Sequence, residues 1–182
     1  MDMKAEEWIE YLQLEPHPEG GFYRSTYRSD LNANCAQGER PMYTSIYFLL
    51  RSEDVSHFHR LQSDEIWYFH GGSSLAVHMI TPQGLYEEVS VGLDLHKGEM
   101  PQFIVPKDTI FGSSVKEPNT FALVSCMVSP GFDFSGFELF ERHDLLKKYP
   151  ECEEIIKNLR KNDQKCDASD RFILTIFKLS GL

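Results

Sequence analysis

Short apolar segments recur along the middle of this chain, with turn signals between them. They are MYTSIYFLLRS at 42–52, EIWYFH at 65–70, SLAVHMIT at 74–81, QFIVP at 102–106, IFGSSV at 110–115 and FALVSCMVSP at 121–130. They are rich in β-branched and aromatic residues, which favour strands. Strands that recur roughly every eight to twelve residues are typical of antiparallel sandwiches and barrels. The pattern therefore predicts an all-β body.

Helical periodicity is found nearer the two ends. Apolar residues between 5 and 14 follow the i, i+3, i+4, i+7 spacing of one buried stripe, and Pro16 ends the segment. Residues 144–150 and 151–162 also have helical spacing. We therefore predict a short N-terminal helix and C-terminal helices around the strands.

Charge and cysteine usage narrow the classes of partner and compartment. The formal net charge of −10 argues against a nucleic-acid backbone or an anionic membrane as the main partner. A local arginine cluster can still hold a small anion. The four cysteines are scattered without a Cys-x-x-Cys pair, the acidic amphipathic N-terminus does not resemble a signal sequence, and no apolar run reaches the length of a membrane span. We expect a cytoplasmic protein with reduced thiols.

The stretch SHFHRLQSDEIWYFHGG, residues 56–72, carries the strongest chemical signal. His57 and His59 are two apart, so an extended strand would point both imidazoles to one face. On the next strand Glu65, Trp67 and Phe69 share a face. Two histidines and a carboxylate from successive strands suit a metal site or an acid/base pocket. A lone histidine here would more often be structural, but the combination favours a site at His59 and Glu65.

Two arginines lie on a strand predicted at residues 22–28. Strict alternation places Arg24 and Arg28 on one face, together with Phe22 and Thr26. They would either line a solvated edge, which protects against aggregation, or face an anionic ligand. The segment alone favours the edge.

Taken together, the motifs resemble a known family. They are PHPEGGFYRSTYRS at 16–29, TSIYFLL at 44–50, FHRLQSDEIWYFHGG at 58–72 and VSPGFDFSGFEL at 128–139. With this order and spacing, the chain resembles the cupin superfamily over residues 8–146, and within it the Cupin_5 subfamily, whose members are mostly described as proteins of unknown function. The resemblance implies an antiparallel double-stranded β-helix, the cupin jelly roll. We expect a single domain at 1–162, with 163–182 as an extension outside the family pattern.

The resemblance also implies a ligand set, from which this chain departs. The first cupin motif maps to His57, His59 and Glu65, but Phe111 stands where the second motif supplies a fourth metal ligand. An aromatic ring cannot ligate a metal, so we expect a divalent metal to be weakly bound or absent. Similar jelly rolls include metal-free dTDP-sugar epimerases and seed storage proteins.

These observations leave two functional classes. The first is a small-molecule-binding cupin whose barrel holds a nucleotide or sugar-nucleotide. The residues expected to contact that ligand are Arg24, Arg28, Arg60, Trp67, Gln102 and Phe111. The second is an enzyme, either an epimerase or isomerase that uses His59 and Glu65 for proton transfer, or a weakly metal-dependent cupin enzyme. The resemblance further implies a homodimer, with residues 16–29 as an exchanged or interface strand.

Overall fold

The structure is a computed structural model, and it describes residues 3–35 and 38–159. The predicted extension at 163–182 lies outside the described residues. The helices are α1 (Ala5–Leu12), α2 (Arg142–Lys148) and α3 (Glu153–Asn158). The strands are β1 (Glu15–Pro16), β2 (Phe22–Arg28), β3 (Asn32–Cys35), β4 (Gly38–Pro41), β5 (Thr44–Arg51), β6 (Val55–Leu61), β7 (Asp64–Gly72), β8 (Leu75–Ile80), β9 (Tyr86–Val91), β10 (Gln102–Val105), β11 (Ile110–Val115), β12 (Phe121–Ser129) and β13 (Phe137–Leu139). One-turn 3₁₀ helices cover Leu95–Lys97, Phe134–Gly136 and Pro150–Cys152.

Two antiparallel sheets face each other. Within the described ranges, one sheet has the order β1-β2-β5-β12-β7-β10, the other has the order β13-β6-β11-β8-β9, and β3 and β4 form a separate hairpin. From β5 onward most consecutive strands lie in different sheets, as β5 and β6 do, whereas β8 and β9 are neighbours in one sheet. The chain therefore passes repeatedly between the layers. This is the jelly roll predicted from the sequence, with the short N-terminal helix and the C-terminal helices in place.

Three apolar clusters of the described residues explain why the layers hold together. The largest lies between the sheets and includes Phe48, Trp67 and Phe111. A second lies on the outer face of the five-stranded sheet, where α2 and α3 cover Ile80 and Ile110. The third packs α1 on the outer face of the six-stranded sheet. Among the described residues, no helix is both long and apolar enough to cross a membrane.

Two of the β-bulges among the described strands decide where predicted site residues point. Ser25 pairs with Ile46 and Tyr27 with Ser45, so Thr26 is an extra residue in β2. A bulge shifts the inward-outward alternation by one residue beyond that point. Arg28 therefore falls on the inner face opposite Thr44, whereas Arg24 faces outward opposite Tyr47. The prediction that the two arginines share a face is wrong for this reason.

The second bulge separates the two histidines. Phe111 pairs with His59 and Ser113 with Ser56, so two residues of β6, at 57 and 58, lie opposite Gly112. A Cβ atom on Gly112 would lie 2.6 Å from the carbonyl oxygen of Ser56, so the bulge needs a glycine there. Beyond the bulge His59 faces inward, and the prediction that both imidazoles share one face is wrong.

Candidate functional site

A cavity of about 230 Å³ opens between the two sheets. Its walls are mainly aromatic and are formed by Tyr23, Phe48, Trp67, Phe132, Phe134 and Phe137. Polar groups also line it, among them His17, Glu19, Glu65 and Arg28. The cavity therefore combines walls of aromatic side chains with a small set of titratable groups, the usual composition of a small-molecule site.

Glu19 is at the centre of the buried polar groups. Its Oε2 atom lies 3.3 Å from Nε2 of His59 and 3.7 Å from Nδ1 of His17, and it accepts a hydrogen bond from the Ser56 hydroxyl at 3.5 Å. Burial raises the pKa of the Glu19 carboxyl well above its usual range, and the nearby Glu65 raises it further. Both effects favour the protonated form of Glu19.

The tautomer of His59 follows from its second contact. Its Nδ1 atom lies 2.7 Å from the carbonyl oxygen of His57, which can only accept, so Nδ1 carries the proton. Nε2 then presents a lone pair toward the Glu19 carboxyl. Burial lowers the pKa of His59 to about 4, which keeps the imidazole neutral. Glu19 and His59 thus form a short path along which one proton can move.

Glu65 is the group that titrates near neutral pH. Burial raises its pKa from 4.5 to about 7, against the opposing effect of a hydrogen bond from the Cys126 thiol. Burial also raises the pKa of that thiol well above its usual range, and it lowers the pKa of His17 to about 3. The cluster consequently holds neutral imidazoles, a Glu19 whose protonated form is favoured and a Glu65 that exchanges its proton close to pH 7.

His17 and Glu19 are site residues that were not predicted from the sequence, and they come from the loop between β1 and β2. The loop is tied to β6 by a hydrogen bond from the His57 N–H to the Glu19 carbonyl at 2.8 Å. Gly20 has φ +104°, and a Cβ atom there would lie 2.1 Å from the Val55 carbonyl oxygen, so only glycine allows this approach. The signal was present in the segment HPEGG, where a histidine and a glutamate precede two glycines.

The structure brings part of the predicted site together. Glu65 and Trp67 line the cavity, as the alternation along β7 predicts, and His59 lies directly behind Glu19. Phe111 is buried and packs against the His59 ring, with centroids 4.1 Å apart, so it supports the histidine and is not among the residues that line the cavity. Arg28 lies at the cavity as well.

Three predicted ligand contacts lie elsewhere. Arg24 donates hydrogen bonds to the carbonyl of Leu12 at 3.0 Å and to Oε1 of Gln13 at 2.8 Å, which fastens α1 to the sheet. Arg60 lies outside the barrel, pairs with Glu138 and stacks over Phe140. Gln102 is exposed because it pairs with Tyr68, which alternates outward on β7. None of these three residues lines the barrel cavity.

The metal ligands expected from the resemblance do not converge. Nδ1 of His57 is 2.8 Å from the carbonyl oxygen of Leu159, at the end of α3 on the outside of the sheet. His59 and Glu65 face inward, so the bulge in β6 removes His57 from the set. Within residues 3–35 and 38–159, no three His, Cys, Asp or Glu side chains are grouped so as to hold a metal ion. The donor set expected for a cupin metal therefore does not fit these residues.

Comparison with known proteins identifies the class. The family model Cupin_5, described as Cupin superfamily (DUF985), matches residues 6–140. The chain therefore belongs to the Cupin_5 family of the cupin superfamily. This confirms the resemblance carried by the four motifs.

Proteins from other organisms are similar to this chain in sequence, and two of them are also similar in fold. Protein SO0799 from Shewanella oneidensis is 50% identical with a TM-score of 0.82, covering 89% of this chain and 100% of that chain. A hypothetical protein from Leishmania major is 42% identical with a TM-score of 0.83, covering 88% and 100%. Uncharacterized protein YML079W of Saccharomyces cerevisiae is 30% identical over 151 residues, 74% of either chain.

Proposed function

We propose that this cupin binds a small, ring-containing anion in the barrel cavity, of which a nucleotide is the best-fitting class. The observation that carries the proposal is the composition of the cavity. Aromatic walls surround it, the titratable pair Glu19 and Glu65 lies within it, and Arg28 supplies a cation. Few other arrangements offer stacking, hydrogen bonding and anion pairing to one ligand.

The size of the cavity limits the ligand. About 230 Å³ lies below the roughly 300–1,000 Å³ of pockets that enclose drug-sized molecules. One planar ring system fits between the aromatic walls, and stacking on such walls is worth about 0.5–1.5 kcal/mol beyond area burial. A sugar-nucleotide would have to extend outside, so a nucleotide with its ring enclosed and its phosphate at Arg28 is favoured.

Buried hydrogen-bonding groups support a heterocycle over a plain aromatic ring. Burial favours the protonated form of Glu19. In that form the carboxyl can donate and accept at once, which suits a ring with adjacent donor and acceptor atoms. The indole N–H of Trp67 is buried and has no hydrogen-bond partner among the described residues. An unpaired buried donor costs about 1–3 kcal/mol, and a ligand acceptor atom would remove that cost.

Arg28 is the residue that distinguishes an anionic ligand from a neutral one. Its guanidinium contributes to lowering the pKa of Asp133, after the hydrogen bonds from Ser135 and the effect of Arg40. A phosphate would therefore compete with Asp133 for this cation. The overall charge of −10 makes this local cation the feature on which anion binding depends.

Calorimetry with matched arginine variants tests the proposal. Nucleoside monophosphates, the corresponding nucleosides and sugar-nucleotides are titrated into the wild type, Arg28→Ala and Arg24→Ala. We expect a monophosphate to bind and Arg28→Ala to weaken it about tenfold, the equivalent of a charge-assisted hydrogen bond. Arg24→Ala, on the same strand but facing outward, is the control and should bind normally.

Three results would contradict the assignment. These are no binding at millimolar concentration, equal effects of the two arginine variants, and an Arg28 effect that does not shrink at high salt. Phe132→Leu tests the aromatic wall separately, because Phe132 is half-buried and lines the cavity without belonging to the fully buried core. It should weaken the nucleoside and the nucleotide alike.

A second function, proton transfer on the bound ring, is favoured by the Glu19–His59 contact of 3.3 Å. An acid and a base within reach of one ligand suit an epimerase or isomerase. The pKa of Glu65, about 7, lies near neutral pH, where a general acid or base is most effective. Solvent deuterium uptake by a bound ligand, followed by NMR, would detect this. Glu19→Gln should abolish the uptake, and the outward-facing His57→Gln should retain it.

A further inference from the structure

A serine, a histidine and a glutamate lie side by side on the outer face of the five-stranded sheet, away from the barrel cavity. Ser114 is on β11, His78 on β8 and Glu88 on β9, three neighbouring strands. His78 pairs directly with Glu88, and Ser114 is one diagonal step away, opposite Ala76. We propose that Ser114 and His78 form a second active site, which hydrolyses small esters by acyl transfer to Ser114.

The hydrogen bonds define the direction of this arrangement. The Tyr86 hydroxyl donates to Oε2 of Glu88 at 3.1 Å, so its oxygen is left to accept from Nδ1 of His78 at 2.9 Å. Glu88 Oε2 itself lies 3.5 Å from Nδ1, and the other oxygen of that carboxylate, Oε1, is paired with Lys116. Nδ1 of His78 therefore carries the proton and Nε2 presents its lone pair. Nε2 lies 2.9 Å from the Ser114 hydroxyl oxygen.

This order of contacts is that of an activated nucleophile. The serine hydroxyl donates to the imidazole, the imidazole donates to an orienting group, and a carboxylate completes the chain. Burial lowers the pKa of His78 to about 4, so the imidazole is neutral and able to accept a proton at physiological pH. Sites built on adjacent strands are held more rigidly than sites on loops.

A groove of about 450 Å³ gives a substrate access to Ser114. One wall is the sheet face that carries His78 and Ser114, and the other is formed by α3 and the turn before it. Ile155 contributes an apolar surface for an acyl chain, and Asn158 carries an amide that suits a developing oxyanion. Glu151 and Glu154 line the same groove, so neutral or cationic esters are favoured over anionic ones.

The reaction balances with water as the only co-reactant. The Ser114 oxygen bonds to the ester carbonyl carbon while its proton moves to Nε2 of His78, and the carbonyl electron pair moves onto oxygen. When that pair returns, the bond to the leaving alcohol breaks and the alcohol takes the proton from Nε2. Water then attacks the acyl group by the same route, which releases the carboxylic acid and restores Ser114.

The chain contains a matched control. His70 and Ser125 also make a histidine–serine contact, 2.6 Å between Nε2 and Oγ, on the outer face of the other sheet. No carboxylate contact with the His70 ring is found within the described residues, so this pair lacks the orienting group. Any reactivity that arises merely from a serine beside a histidine should appear at Ser125 as well.

The experiment is labelling of the full chain with an uncharged fluorophosphonate, followed by intact mass and peptide mapping. We expect one adduct on Ser114, absent in Ser114→Ala and in heat-denatured protein, unchanged in Ser125→Ala and slowed at least about 100-fold in His78→Gln. Hydrolysis of p-nitrophenyl acetate should follow the same order. Tyr86→Phe should slow both reactions and shift their pH profiles, since it acts through the histidine.

Several results would overturn the proposal. If the folded wild type forms no adduct on Ser114, the proposal is contradicted whether or not any variant folds. Equal labelling of Ser114 and Ser125 would also contradict it. So would an unchanged rate of Ser114 labelling in His78→Gln, provided that this variant has a wild-type circular dichroism spectrum. Esterase activity that survives Ser114→Ala and is lost with Cys152→Ala would place the chemistry on the neighbouring thiol and contradict it too.

Discussion

Replacing Glu65 by glutamine should stabilise the folded protein above neutral pH. The carboxyl has a pKa of about 7 in the folded chain and an ordinary value of 4.5. The folded state therefore keeps a proton that the unfolded state has lost between these two pH values. Stability falls as pH rises through this interval, because the unfolded state binds fewer protons. Glutamine has no charge to bury and removes this loss.

The magnitude follows from the size of the pKa change. One pKa unit is worth about 1.4 kcal/mol, so ionisation of Glu65 costs the folded state about 3 kcal/mol at pH 8. Removing a carboxylate from beside Glu19 acts in the same direction. For a chain of this length, that corresponds to a rise in melting temperature of roughly 6–12 °C. At pH 4 Glu65 is neutral, as is the glutamine that replaces it, and the difference in free energy of unfolding between the two proteins should vanish.

Urea unfolding at half-unit steps from pH 4 to pH 8 measures this directly. The quantity of interest is the difference in free energy of unfolding between Glu65→Gln and the wild type, which should grow with pH. Glu117→Gln, at an exposed turn, is the control and should follow the wild type. A difference that is constant with pH, or a variant less stable than the wild type at pH 8, would refute the burial argument for Glu65.

Three further predictions concern the bulge, metal content and assembly. Gly112→Ala should lower the free energy of unfolding by about 2 kcal/mol or more in urea, because its Cβ meets the Ser56 carbonyl, whereas Gly71→Ala, with nothing within 4 Å, should change it far less. Plasma emission on protein never exposed to a nickel column should find a transition metal well below one per chain, and a stoichiometric metal would contradict this. Light scattering at micromolar concentration should give about twice the chain mass of 21.0 kDa, and a monomer mass would rule out the homodimer.

The strands and their general arrangement were predictable because the pattern that encodes them is local. Apolar alternation and turn residues predicted an antiparallel sandwich or barrel, and the resemblance to the cupin superfamily specified a jelly roll. Alternation along β7 placed Glu65 and Trp67 inside. Period-two alternation holds only while a strand is regular. The extra residue at Thr26 and the two residues opposite Gly112 reverse it in midstrand. The sequence of β2 shows no residue pattern that predicts the first bulge. The glycine that permits the second bulge, Gly112, lies on β11 and not on the bulged strand β6.

Glu19 was not predicted because it lies in a loop, outside the regular strands that periodicity reveals. Glu19 makes the shortest polar contact to His59 from within the cavity, yet it comes from a loop about forty residues earlier in the chain. A loop residue reaches such a place through tertiary contacts, which periodicity does not report. Arg24 shows the converse case, because its bonds to Leu12 and Gln13 depend on where α1 docks.

The loop that carries His17 and Glu19 allows the pocket to change in sequence while the barrel stays the same. Its two acid/base side chains enter the cavity on a short segment that joins β6 through few main-chain bonds, and the glycine at position 20 preserves that approach. Substitutions at positions 17 and 19 can therefore change the titratable groups of the cavity while the sheets keep their register. For engineering, this segment is a cassette: new specificities can be sought by varying it alone on an unchanged scaffold.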